Sequence, residues 1–293
     1  MDKLFDAEGL TSSERYFYTP SAFARKHLCY VQEAGRLKSL KPHTSAREEL
    51  ESFLFLFVES GSGVLRFEGS ETELHRGWAA LIDCRKHYEH ESSATNPWEL
   101  RWVHFDGARA EALYPLFKEQ NGGSPCFALG QQEAEARELC SQILETKGDN
   151  SRMTEIRADA ALGRILLLCM EQAGVRQEQE TDITGMREEI NESLAADKTP
   201  EEISRLLAAR YEQPFDVLDE QFRKRYGITA TGYIANRMLN KAKELLRFTI
   251  KPLSEVILES GIGDEESFRR LFIENENMSP EDYRKRWAQW IKG

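Results

Sequence analysis

Two sets of side chains in this sequence have chemistry to offer. The first is basic: Arg223, Lys224, Arg237, Lys241, Arg269 and Arg270, with Ser267 among them. Cations neutralise phosphates, and an arginine forks onto the acceptor edge of guanine in a major groove. On helices of the right arrangement these residues predict contact with double-stranded DNA. The second set is His43, Arg47, His87, Trp102 and His104. An indole stacks on a ring, and a guanidinium forks onto a hydroxyl pair or a carboxylate. Together they predict a pocket for a small polar effector, sugar-like in its chemistry. For each residue singly, core packing or a surface position is the competing reading.

Catalytic chemistry is not indicated. His87 and His90 form an HxxH with Glu89 and Glu91 beside them, and His43 stands apart. That spacing is not one that zinc or iron sites use. No nucleophile elbow, P-loop or dinucleotide fingerprint occurs, and the glycines of ESGSG read as a turn between strands. The expectation is a protein that is not an enzyme and has no metal and no cofactor.

The 293 residues leave room for about two domains, each with its own core. Hydrophobic residues make up 40% and charged residues 30%, which excludes wholesale disorder. The net charge is −11, awkward for a molecule that approaches phosphates. The acid excess is uneven. Residues 1–185 hold 21 Lys and Arg against 30 Asp and Glu, whereas residues 186–293 hold 18 against 20. The five cysteines form no CxxC, and the chain starts MDKLFDAEGL, which has no basic or apolar leader pattern. The longest apolar runs, Phe53–Val58 and Ile165–Met170, are too short to cross a bilayer. A cytoplasmic location with free thiols and no membrane contact is expected.

The pocket residues fall in a region that reads as strands, residues 15–105. Phe53–Val58, Val64–Phe67, Thr72–Leu74, Trp78–Ile82 and Trp98–Phe105 are short and separated by Gly/Ser-rich turns, as in a β-sandwich or barrel. By period two, Trp98, Leu100, Trp102 and His104 share one face, which should look inward. Helical patterns follow over Ala108–Gln120, Gln131–Thr146 and Thr154–Gln172. The last has a stripe wider than a surface helix needs. It packs either on a second copy or on the rest of its own subunit. Residues 174–185 are polar and aperiodic and read as a linker.

The basic residues fall in a repeat with an offset of 50. Leu218 matches Phe268, Phe222 matches Phe272, Gly227 matches Asn277, and Tyr233 matches Tyr283. Between them Ile228, Thr229 and Ala230 match Met278, Ser279 and Pro280. Gly and Asn are the residues that end a helix in the left-handed conformation, and Thr or Ser then caps the next one. Upstream of each copy lies a shorter helix and a tight turn: Glu201–Arg210 then YEQP, and Ser254–Ser260 then GIGD. This is the helix-turn-helix plan, with Pro214 and Asp264 opening the second helices and Tyr233–Phe248 as a rigid connector. A generic helical repeat is the alternative.

The segments NKAKELLRFTIKPLSEVILESGIGDEESFRRLF and NMSPEDYRKRW resemble the AraC/XylS-type DNA-binding domain. SGSGVLRFEGSETELHRGWAALIDCRKHYEH with WELRWVHFDG resembles the cupin-type sensor joined to it. The resemblance implies an α+β multidomain chain. A cupin-like β-barrel spans 1–107, a helical dimerisation or connecting region 108–173, a linker 174–185, and an all-α tandem helix-turn-helix domain 186–293. It implies a homodimeric, effector-controlled transcription regulator. The chain departs from the family where Asp216, Asp219 and Glu220 occupy the outer face of the first reading helix, and where Glu265, Glu266, Ile273 and Glu274 flank Arg269 and Arg270. These acids motivate a second reading, in which the fold is kept but DNA binding is weakened or lost and protein partners take its place.

Overall fold

The computed structural model describes residues 9–149, 151–175, 183 and 185–288. The chain divides into two compact units, residues 1–178 and 179–293.

The first unit holds ten strands and four α-helices among its described residues. The strands are β1 Thr11–Phe17, β2 Tyr30–Ser39, β3 Thr44–Arg47, β4 Phe53–Ser60, β5 Ser62–Phe67, β6 Ser70–His75, β7 Trp78–Asp83, β8 Tyr88–Ser92, β9 Glu99–Asp106 and β10 Cys126–Ala128. The helices are α1 Ala22–His27, α2 Ala108–Gln120, α3 Glu133–Glu145 and α4 Arg152–Val175. One sheet has the order β1-β2-β9-β4-β7-β10, the other β3-β8-β5-β6.

The apolar run at Phe53 explains the layering. In β4 alternate side chains must point to opposite faces. Leu54, Leu56 and Val58 join Leu65, Phe67, Leu74, Ile82, Trp98, Leu100 and Trp102 in the core between the sheets. Phe53, Phe55 and Phe57 join Val103 and Phe105 in a second core, against Phe117 of α2, Ile143 of α3 and Leu162, Ile165 and Cys169 of α4. β4 therefore has no solvent face. Each of its three buried phenylalanines contributes roughly 1.5–3 kcal/mol.

Two glycines set the positions of the indoles. A Cβ on Gly35 would lie 2.6 Å from the Trp102 ring, and one on Gly63 would collide with Trp98. Gly35 is also the strand partner of Trp102.

The wide stripe of α4 is satisfied largely within its own subunit, because Leu162, Ile165, Leu166, Leu168 and Cys169 are all buried there. The helix runs to Val175, so residues 174 and 175 of the expected linker are helical. Residues 176–182 and 184 of that linker lie outside the described residues.

The second unit is helical throughout its described residues: α5 Met186–Ala195, α6 Pro200–Arg210, α7 Phe215–Tyr226, α8 Ala230–Phe248, α9 Leu253–Ser260, α10 Glu265–Glu276 and α11 Pro280–Trp287. Leu218, Phe222, Phe268 and Phe272, the matched anchors, are each fully buried in one core with Ile234, Met238 and Ala242 of α8. The repeat extends to ring contacts. Phe222 meets Tyr233 at 5.7 Å between centroids, and Phe272 meets Tyr283 at 5.3 Å.

Candidate DNA interface and sensor pocket

The turn chemistry that builds the reading helices is the chemistry the repeat predicts. Gly227 ends α7 at φ 74°, and Asn277 ends α10 at φ 53°. Thr229 accepts from Gly232 N to cap α8, and Ser279 accepts from Asp282 N to cap α11. Asp264 accepts from Ser267 N to cap α10. Pro214 stands one place earlier than its expected first-turn position, as the residue before α7. Thr199 and Glu202 form a capping box on α6.

The cations expected to touch DNA are not equivalent. Arg223 forks onto Glu220, Nε to Oε2 at 2.8 Å and Nη2 to Oε1 at 2.7 Å. That hydrogen bond holds the Glu220 carboxyl below its usual pKa. Arg269 binds Glu265 at 2.8 Å within α10 and Glu281 at 2.6 and 3.0 Å across to α11. Lys241 Nζ is 3.0 Å from Asp197 Oδ1. The Ser267 hydroxyl donates to Asp264 Oδ2 at 2.9 Å. Lys224 is half-buried on α7. Arg237 on α8 and Arg270 on α10 are exposed, and among the described residues neither has an ion-pair partner.

The acids need one correction. Asp219 does not belong to an outward acidic face. Its Oδ1 accepts from Thr231 N at 2.8 Å and from Thr231 Oγ1 at 3.0 Å. The first turn of α8 has amide groups without helical partners, and this carboxylate supplies one with an acceptor. Asp216 and Glu220 are the exposed acids of α7.

In the first unit, Trp98, Leu100, Trp102 and His104 are all buried between the sheets, on the face that period two assigns them. Trp102 Nε1 donates to Glu33 Oε1 at 3.2 Å. Glu33, nearly buried on β2, is also 3.1 Å from Arg15 Nε and 3.6 Å from Arg47 Nη1. The Arg15 guanidinium lies over the Trp102 ring at 5.3 Å. Arg47 and Trp102 therefore meet through a carboxylate that the sequence reading omitted. His104 Nδ1 is 3.2 Å from Ser52 Oγ, and burial pushes its pKa down to about 3. His43 is buried just before β3, with Nδ1 3.2 Å from Lys41 O.

His87 is not a pocket residue. It precedes β8 on the surface, with Nδ1 3.4 Å from Glu48 Oε2. Alternation along β8 instead turns Tyr88, His90 and Ser92 inward and leaves Glu89 and Glu91 outside, where both bind Arg66. His90 lies 5.7 Å from the Trp98 ring, and burial pushes its pKa down to about 4. His90 Nδ1 and Trp98 Nε1 are buried polar atoms without a hydrogen-bond partner among the described residues. Such atoms cost free energy until something pairs with them. Two inward polar groups beside two indoles suit a polar ligand.

No group of three His, Cys, Asp or Glu among the described residues is placed to hold a metal ion. The five cysteines are free and buried, and burial pushes the Cys84 and Cys140 thiols up to about 12. No helix among the described residues is long and apolar enough to cross a membrane.

Residues 32–166 match the profile of the AraC-like ligand binding domain, and residues 207–286 that of a helix-turn-helix domain. The chain is similar to the HTH-type transcriptional activator RhaS of Salmonella arizonae, 26% identical over 240 residues that cover 78% of this chain and 84% of that protein. RhaS of Klebsiella pneumoniae is likewise 26% identical, over 244 residues and the same shares. Among solved structures, the AraC-like transcriptional activator CuxR is 14% identical with a TM-score of 0.38, covering 80% of this chain and 88% of that one. The C-terminal domain of the response regulator yesN of Fusobacterium nucleatum is 25% identical with a TM-score of 0.30, covering 34% of this chain and 93% of that domain.

Proposed function

We propose how this chain works from the fact that it is an AraC/XylS-type, DNA-binding transcription regulator with a cupin-like ligand-binding domain. It recognises a specific duplex sequence with α7 and α10, under the control of a small-molecule effector bound between its two N-terminal sheets. The observation that carries the DNA half is the repeated unit, in which matched anchors, caps and left-handed helix ends recur and Arg270 has no ion-pair partner among the described residues. Arg237 and Lys241 on the connector would contact phosphates, with Lys241 exchanging Asp197 for DNA. The reading in which DNA binding is lost has no support from the relatives, which carry the name of transcriptional activators.

The effector is a neutral or weakly acidic polyhydroxylated molecule, sugar-like in size. Trp98 and Trp102 would stack on it, and His90 and Trp98 Nε1 would hydrogen-bond it. An effector that binds the two states of the sensor unequally shifts the population of the DNA-competent form. The chain works as a homodimer through the uncovered face of α4. There Met153, Ile156, Ala160 and Leu167 are exposed along one stripe, with Leu167 at 49%.

The test is a panel of sugars and sugar acids added to the purified chain. Indole fluorescence and the unfolding temperature of the first unit are read, and then DNA affinity with the best binder. The reading expects one class to raise the unfolding temperature and change DNA affinity together. A ligand that binds without changing DNA affinity would break the proposed link.

A further inference from the structure

Resting on the DNA-binding reading, we propose that the two helix-turn-helix units read DNA with different chemistry. α10 reads a guanine through Arg270, whereas α7 reads a thymine methyl through Val217 and has no guanine contact of its own.

The internal repeat supplies the comparison, because residues 50 apart occupy equivalent places on the two reading helices. The equivalent of Arg270 is Glu220. In α7 both oxygens of Glu220 are taken by the Arg223 fork, at 2.7 and 2.8 Å. For Arg223 to reach a guanine it would have to leave a charge-assisted bidentate pair. Arg269 would likewise have to leave Glu265 and Glu281. Arg270 is exposed and, among the described residues, has no ion pair to break. Of Arg223, Arg269 and Arg270, it alone meets a base edge without that loss; Arg225, also exposed on α7, lies in the last turn of that helix, away from the N-terminal part that approaches base edges.

The second observation is Val217. It lies in the first turn of α7, the part of a reading helix that approaches base edges, and it is 42% exposed. Its equivalent in α10 is Ser267, a polar residue bound to the cap Asp264. A branched aliphatic side chain at this place is left partly uncovered by the unit. In a major groove the apolar group it can meet is the thymine C5-methyl.

The sites read by the two units therefore differ. The one under α10 requires a guanine, and the one under α7 requires a thymine and tolerates any base where a guanine contact would fall. The internal symmetry of the protein is not copied into its operator.

Selection of random duplex DNA by the full chain tests this, run in parallel with Arg270→Ala, Arg270→Lys and Val217→Ala. Both positions are exposed, and thermal melts check that each variant folds. The wild type is expected to enrich a guanine in one half of the motif and a thymine in the other. Arg270→Ala loses the guanine and roughly 10- to 100-fold in affinity, and keeps the thymine. Arg270→Lys keeps the charge but loses the planar fork, so it weakens the guanine preference less than Arg270→Ala does. Val217→Ala loses the thymine alone. A guanine preference that survives in Arg270→Ala makes Arg270 a phosphate contact and overturns the proposal. So does a Val217→Ala motif identical to wild type, or variants that erode both halves equally. A folded wild type that enriches nothing overturns the DNA-binding reading itself, whereas a clear wild-type motif with the wrong variant pattern overturns this inference alone.

Discussion

At the scale of residues, the sensor interior holds neutral histidines at a cost that pH exposes. Burial lowers the His104 pKa to about 3, whereas an unfolded histidine titrates near 6.5. Below 6.5 the unfolded chain takes up a proton that the folded chain refuses, so stability falls as pH falls, down to the folded value. The ceiling is about 2 kcal/mol between pH 7 and pH 5 for this one residue. The unfolding free energy of the first unit is expected to drop across that window, and His104→Gln should flatten the slope by about one proton. An unchanged slope in the variant would mean that His104 is not held neutral. Gly63→Ala should cost about 1–3 kcal/mol by displacing Trp98, read as a lower denaturant midpoint. Trp98, Trp102 and His104 were legible in sequence because period two needs only a strand. His87 was misplaced by one residue of register, and His90 takes the inward position. Glu33 and Arg15 were missed because a charged residue on a strand looks like a solvent face until its partners are known.

At the scale of elements, the helix-turn-helix units were the most legible part. Gly227, Asn277, Thr229, Ser279 and Asp264 carry local signals that no distant contact overrides. Asn277 at φ 53° bears a strain that glycine would not. Asn277→Val is expected to destabilise the second unit by roughly 1 kcal/mol or more, and Asn277→Gly to be neutral or slightly stabilising, both read by thermal melts. The expected strand at Phe53–Val58 formed and runs on to Ser60, and the one expected at Trp98–Phe105 formed one residue later, as Glu99–Asp106. β1, β3, β8 and β10 are short or polar, and their pairing is decided by neighbours far away in sequence, so no local pattern marks them. The two sides of α4 could not be told apart by composition. The structure puts Leu162 and Ile165 inside and Leu167 outside. Leu167→Glu is therefore expected to leave the fold intact and to convert a dimer to monomer in sedimentation velocity. A dimer that persists would move the interface elsewhere.

At the scale of the whole molecule, the charge of −11 opposes approach to DNA, and the cations that can act are few. Each phosphate contact adds about 0.9 to the slope of log affinity against log salt. Arg237→Ala is expected to reduce that slope by about one without changing the sequence preferred. The carboxylates that hold Arg223, Arg269 and Lys241 could not be assigned from sequence, since each pair joins residues whose distance depends on helix packing or on the i, i+3 and i, i+4 faces.

The measurement that bears most directly on the central claim is selection from random duplex DNA by the purified full chain. It is followed by titration of the enriched sequence at two salt concentrations. A motif spanning two successive major grooves, bound more weakly at the higher salt, is the predicted result. A folded protein that enriches no sequence at low salt, with and without the effector found in the sugar panel, would contradict the claim.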